Sequence, residues 1–547
     1  MSGSRARNVV LISLDTLRYD CVGVCPDKAH LAAYGVEGHL HTPNLDRFFQ
    51  ESAYFSQCLT PATNTTPAHA SVMTALYPAR HGARALFKWA VAEEAGTLAE
   101  ELKGRGYRTV AVLEDGRKNW LSTGTEVLRG FDQLFQDERA ACEYCASLQE
   151  PVLFFVHTWD IHVPYCWSYL QQVCAESTEG KEMVALICDR LGIDGPKGPT
   201  NSEQEEFWRR AGRKARQVLE QKEAAALFLC WYIQGVNFFD RVRWPRIVGA
   251  LRQSGLYESA ITAVFADHGE AMLPDGRHLL MWHTGHLLED ALRVPLALHA
   301  PGVPAGALAA PCSLVDVAPT VLDYLGFTPN RLGRAGETDG VPLLRSAAAP
   351  RRSPYYFAEA WDKNRQLSRP RAGGDEYVVP TRQERTEEVW TPWQACVRAG
   401  GLKLIWHPGF PDLRRFRPPR GPAPDRGGSS LTRLRRFLRR HLPRPLVRLV
   451  RWMLHKRRRA GARTAQNSGT GLCEWREAPL FVLDLKDDPL EEHPRLLELA
   501  KASPEEKELV ERLKQYWESG ILGPPIKLGP EEDEQILQRL RDLGYAD

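Results

Sequence analysis

Chemistry in this 547-residue chain concentrates where short apolar runs stop. Val9 to Leu14 ends at Asp15. Val152 to Val156 ends at His157, Asp160 and His162, and Ile261 to Phe265 ends at Asp267, His268, Gly269 and Glu270. A fourth segment, Asn64-Thr65-Thr66-Pro67-Ala68-His69-Ala70-Ser71-Val72-Met73, reads as a loop turning into a helix, with threonine as the cap and proline in the first turn. A hydroxyl there faces the positive end of a helix dipole, which favours an alkoxide and a bound anion. Threonine is a weak nucleophile at its free pKa, so it needs a metal or a base to take its proton. Asp15, Asp267 and His268 offer two hard oxygens and one nitrogen, suited to a divalent cation that also takes the Thr65 oxygen. Each piece alone is ordinary: strand-terminal Asp is commonly a turn residue and Thr-Thr-Pro commonly only a cap. Together they point to metal-assisted chemistry on an anionic group.

The elements that must hold these residues follow from the pattern. Continuous rather than alternating apolar strands, separated by helical segments such as Thr97 to Lys103 and Gln217 to Arg252, predict an α/β fold whose large, mostly parallel central sheet has helices on both faces. Ligands bind beyond the carboxyl ends of the strands in such sheets, which is where Asp15, His162 and Asp267 fall. From about Pro350 the texture changes to short strands around Pro354–Ala358, Gln394–Arg398, Leu402–Trp406 and Leu480–Asp484. These predict a smaller C-terminal α+β subdomain with an antiparallel sheet, closed by helices over Pro504–Ser519 and Pro530–Leu543. The expected division is 1–350 catalytic and 351–547 C-terminal. The close pair Cys142-x-x-Cys145 lacks a second pair at metal spacing and reads as ordinary helix cysteines.

Taken in order, these residues resemble the sulfatase branch of the alkaline phosphatase superfamily over nearly the whole chain. Asn8–Arg18 is similar to the family's first strand and metal aspartate, and Thr42-Pro43-Asn44-Leu45-Asp46-Arg47 to its next landmark. Thr65-x-Pro67-Ala68-His69, with Met73–Pro78 and His81-Gly82, is similar to the sulfatase signature. Phe265–Glu270 resembles the second metal motif, and Leu292–Leu296, Leu402–Ile405 and Leu483–Pro489 resemble the later strands.

The departures bear on substrate. Sulfatases oxidise a cysteine or serine at the signature position to formylglycine; threonine cannot yield that aldehyde. His69 stands for the signature arginine, Thr16 for a second aspartate, and His268 for the asparagine usual with calcium. The resemblance therefore implies a covalent Thr65 intermediate, with His162 as the histidine that protonates the leaving oxygen, His286 binding the anion, and His69 binding it in place of arginine. Manganese or zinc is favoured, with calcium or magnesium as alternatives. One ion is expected; Asp160, His162 and His286 could hold a second. A phosphodiester or phosphonate ester is the favoured substrate. Sulfuric ester hydrolysis, phosphoglycerol-type transfer and a non-catalytic membrane-associated scaffold are the alternatives.

Net charge is +3, from 71 Lys and Arg against 68 Asp and Glu. Residues 413–463 alone hold 18 basic residues and one acid, Asp425, so the remaining 496 residues carry −14. That insert has apolar positions at helical spacing, including Leu446, Leu449, Val450, Met453 and Leu454. It reads either as an arginine arm docked on the acidic body or as a helical hairpin on an anionic membrane surface. Its aromatics, Phe416, Phe437 and Trp452, are too few and scattered for stacking on nucleic acid, which is not an expected partner. The apolar run after Asn8 is too short for a signal segment, so a cytoplasmic protein, peripheral at the membrane through the insert, is expected.

Overall fold

The chain was analysed as a computed structural model that describes residues 7–86, 89–113, 121–122, 124–162, 178–197, 201–271, 287–344, 354–363, 369–370, 377–378, 390–406, 480–491, 493–524 and 526. Its central sheet has eight strands: β1 (Asn8–Leu14), β2 (Ala53–Phe55), β3 (Arg108–Leu113), β4 (Gln133–Phe135), β5 (Val152–Thr158), β6 (Ala260–Phe265), β7 (Leu296–His299) and β8 (Gly306–Leu308). They lie in the order β8-β2-β7-β6-β1-β5-β3-β4. From β6 to β4 every neighbouring pair is parallel, whereas β7 runs antiparallel to β6 and β2. Every residue of β1 after Asn8 is buried, as are all of β5 and β6, because helices cover both faces. A strand buried on both faces gains from apolar side chains at every position, hence the unbroken runs.

Among the helices about this sheet are α1 (Thr65–Thr74), α2 (Leu98–Lys103), α3 (Glu138–Ala146), α4 (Gln221–Phe238), α5 (Trp244–Gln253) and α6 (Val317–Leu325), and a later helix, α7 (Pro504–Glu518), belongs with the C-terminal strands. Thr97 caps α2 in a reciprocal capping box with Glu100. The segment expected as one helix from Gln217 to Arg252 is instead α4 and α5 joined by a π turn at Phe239–Arg243. The extra residue in that turn is of the kind found at functional sites. Here it carries Asp240, which accepts the backbone N–H of Leu45 at 2.6 Å and of Asn44 at 3.2 Å, and Arg243, which reaches Asp160. Cys142 and Cys145 lie buried and free on α3, and burial pushes their thiols up to about 11 and 12.

A second sheet of five strands, β9 (Tyr356–Lys363), β10 (Trp390–Ala399), β11 (Leu402–Trp406), β12 (Leu480–Asp484) and β13 (Arg495–Leu496), is antiparallel throughout. Helix α7 packs against it, with Trp517 over Trp406 at 5.0 Å between centroids. Residues 1–411 and 474–547 group into one compact unit. The basic stretch 413–463 and the helix expected over Pro530–Leu543 lie outside the described residues. Among the described residues no helix is long and apolar enough to cross a membrane.

Candidate metal and nucleophile site

Three adjacent central strands, β5, β1 and β6, all point their carboxyl ends to one edge of the sheet, so residues far apart in sequence meet there. Asp15, Asp267 and His268 are buried, and one ligand atom from each lies within 4.8 Å of the other two. His268 Nδ1 is 3.0 Å from the carbonyl of Gly269. A carbonyl only accepts, so Nδ1 carries a proton, and Nε2 faces Asp15 Oδ1 at 3.7 Å and Asp267 Oδ2 at 3.5 Å. Asp267 Oδ2 accepts no hydrogen bond among the described residues, while Oδ1 takes the backbone N–H of Thr16 and His268. Burial pushes the Asp267 carboxyl up to about 6, against the pull of His69. Two carboxylates and an imidazole that converge within 4.8 Å in a buried site form a donor set that fits a divalent ion. Two oxygens and one imidazole also suit manganese, zinc, magnesium or calcium without choosing among them.

The loops after the strands are held tightly. Thr16 has φ +60°, a left-handed conformation that costs a β-branched residue about 1–3 kcal/mol. Tyr232 from α4 secures it, its hydroxyl donating to Thr16 O at 2.8 Å and accepting from Arg18 N at 2.8 Å. Arg18, also buried, pairs with Asp20 at 2.7 Å and donates to the Glu270 carbonyl at 2.9 Å and Asp290 Oδ2 at 3.2 Å. It thereby fastens the loop after β1 to the loop after β6. Gly269 has no room for a side chain: a Cβ there would stand 2.1 Å from the Asp290 carbonyl. Gly269→Ala is expected to displace His268, lower manganese affinity at least about tenfold and destabilise the fold by about 1–3 kcal/mol, read by calorimetric titration and urea denaturation.

Thr65 is the first residue of α1, buried, with Asn64 rather than a threonine at the cap position and no side-chain cap. Thr66, the other candidate hydroxyl, is spent on the Leu86 carbonyl at 2.8 Å. His69 joins Thr65 to the ligand set: its Nδ1 lies 2.8 Å from the Thr65 carbonyl and 3.7 Å from Asp267 Oδ2. The expectation that His69 binds the anion is corrected here. Its ring is fully buried, with Nδ1 on Thr65 and Nε2 2.8 Å from Ser13 Oγ, so neither nitrogen is left for a ligand.

Of the three residues expected to hold a second ion, Asp160 and His162 are described. Asp160 Oδ2 accepts from Arg243 Nε at 3.0 Å and from Thr158 Oγ1, and Arg243 also pairs with Glu138. That carboxylate serves a buried ion pair instead. His162 is buried on the turn after β5, its backbone N–H donating to the Trp159 carbonyl at 2.8 Å. Its charge acts on Glu270, a residue absent from the expected site. Burial pushes the Glu270 carboxyl up to about 7, with His162 and His268 pulling it down, which places it in the range of a general acid or base. His286 lies outside the described residues.

The central strand ends carry a buried carboxylate and imidazole donor set, linked through His69 to the first turn of α1, as the resemblance to the alkaline phosphatase superfamily implies. The sequence model described as Sulfatase matches residues 7–147 and 141–327, more than half of the chain, and the protein belongs to the sulfatase family. A choline-sulfatase of Rhizobium meliloti (strain 1021) is 26% identical over 113 residues, 21% of each chain. Arylsulfatase K of Danio rerio is 30% identical over 110 residues, 20% of each. The chain thus matches about a fifth of the length of these curated relatives. Among solved structures, a Bacteroides thetaiotaomicron protein of glycosaminoglycan metabolism superposes with TM-score 0.52 at 14% identity, covering 98% of this chain and 99% of that one. A 2-O GAG sulfatase gives 0.51 at 16%, covering 93% and 90%. A protein bound to its substrate D-glucosamine-2-N,6-O-disulfate gives 0.52 at 14%, covering 94% and 98%. At such identities the likeness establishes the fold.

Proposed function

We propose that the protein is a metal-dependent hydrolase of anionic esters in which Thr65 forms a covalent intermediate, with phosphodiesters or phosphonate monoesters favoured over sulfate esters. The observation that carries this reading is Thr65 at the head of α1, tied through His69 to the buried Asp267 of the donor set. Bound at Asp15, Asp267 and His268, a divalent cation supplies Lewis-acid polarisation and makes a hydroxyl easier to deprotonate. The side chains do the rest. Thr65 Oγ passes its proton to solvent water and attacks phosphorus in line; the bond to the leaving oxygen breaks as His162 hands that oxygen a proton. Water then attacks the phospho-threonine and returns a proton to His162, while the Thr65 oxygen leaves and takes a proton from solvent. Sulfur chemistry by the formylglycine route is closed to Thr65, which supports phosphorus. Sulfate-ester hydrolysis is the competing reading, favoured by the choline-sulfatase and arylsulfatase relatives. Elemental analysis of the purified protein, together with turnover of aryl phosphodiesters, phosphonates and sulfates, separates the two. About one divalent ion per chain with phosphoryl esters turned over fastest is expected; sulfate esters alone turned over would reverse the preference.

A further inference from the structure

Two side chains that this mechanism leaves unused, Ser13 and His157, belong to one buried polar chain that ends on Thr65. Ser13 is next to last on β1, and the parallel register sets it opposite His157 on β5. His157 Nδ1 lies 3.4 Å from Ser13 Oγ, Ser13 Oγ lies 2.8 Å from His69 Nε2, and His69 Nδ1 lies 2.8 Å from the Thr65 carbonyl. The two imidazoles pack edge to face with centroids 4.6 Å apart, and Phe155 meets the His69 ring edge-on at 5.8 Å. All three polar side chains are buried. At the chain's outer end His157 Nε2 is 3.6 Å from Asp15 Oδ2.

Ser13 is the one polar residue in the run Val9 to Leu14. Apolar residues of matching shape at Ser13, His69 and His157 would cost the fold little, because a satisfied buried polar network contributes modestly to stability and its replacement is often neutral. What such a network does supply is a single geometry, since each member has only one satisfied arrangement. We propose that Ser13 and His157 are positioning residues that hold the His69 ring, and through it the first turn of α1, so that Thr65 keeps its place relative to the donor set that His69 joins at Asp267. The inference rests on the reading of Thr65 as nucleophile, but its structural half is open to test without turnover.

At position 157, asparagine keeps a nitrogen near the place of Nδ1, facing Ser13, whereas glutamine keeps one near the place of Nε2, facing Asp15. Ser13→Ala and His157→Gln are expected to raise amide hydrogen exchange in peptides covering residues 64–70 roughly tenfold, with the exchange of β3 and β6 unchanged. His157→Asn should hold the protection of the unsubstituted protein. On whichever aryl ester that protein turns over, Ser13→Ala should lower kcat about tenfold at unchanged KM. Unchanged exchange over 64–70 in Ser13→Ala, or an equal rise across the whole protein, would overturn the proposal. So would a protected His157→Gln beside an unprotected His157→Asn, because His157 would then act on Asp15 directly. If the unsubstituted protein turns over no aryl ester, the functional reading fails and the exchange pattern still decides this one.

Discussion

Thr65→Ala should lower turnover of the best aryl phosphodiester or phosphonate by at least about a thousandfold, while the protein keeps its metal and its unfolding midpoint. Asp15, Asp267 and His268 remain in place in that variant, and the bond from His69 goes to the Thr65 carbonyl, not its side chain. Thr65→Ser keeps an oxygen at the same position and should retain activity within about tenfold. The comparison matters because a helix start can bind an anion through its dipole alone. If Thr65→Ala kept full turnover of every ester, Thr65 would be a binding residue at most, and a hydrolytic water would have to be the attacking group.

The second large effect concerns stability. Arg84, which follows the short helix Pro78–His81, is wholly buried and paired with the equally buried Glu359 of β9, Nε to Oε2 at 2.8 Å and Nη2 to Oε1 at 2.6 Å. Trp361 Nε1 donates to the same carboxylate at 2.7 Å and the Tyr516 hydroxyl at 2.6 Å. The guanidinium lies 5.2 Å from the Trp361 ring and 4.4 Å from that of Trp517. Glu359→Ala leaves a dry, uncompensated cation with two orphaned donors and is expected to cost about 3–5 kcal/mol. The double variant Arg84→Met, Glu359→Leu should be clearly less destabilised than Glu359→Ala alone, because it removes the charge together with its partner. Guanidinium denaturation of the two variants checks this; equal destabilisation would mean that lost packing, not the stranded charge, sets the cost.

Much of the catalytic layer was legible because a parallel strand buried on both faces ends abruptly. Asp15, Asp267 and His268 could be grouped before any coordinates, and they do form one cluster. The C-terminal strands were likewise readable, with Leu480–Asp484 placed to the residue. What the residues could not disclose depends on register and on partners distant in sequence. Ser13 looks like filler in an apolar run until β1 and β5 are aligned and it falls opposite His157. His69 stands where the resemblance implies an arginine, yet a helix position four residues beyond Thr65 turns its ring back onto that carbonyl. Asp160 looked like a ligand because its partner, Arg243, lies 83 residues on at a π turn that no periodicity announces. Arg84 and Glu359 are separated by 275 residues.

The order of the central strands also bears on how the protein is made. The donor set straddles β1 and β6, neighbours in the sheet whose ends are separated by roughly half the chain. A chain emerging amino-terminus first presents Asp15 and Thr65 early, but β1 must wait without its β6 flank until residue 265 has been synthesised. Until then the ligand cluster lacks two of its three members and cannot capture a cation. Long-range pairing of this kind is slow and leaves an apolar strand edge uncovered in the interval. On the proposed reading metal loading would be a late event, coupled to closure of the sheet, and a synthesis stalled before β6 would leave α1 without the donor set of Asp267 and His268.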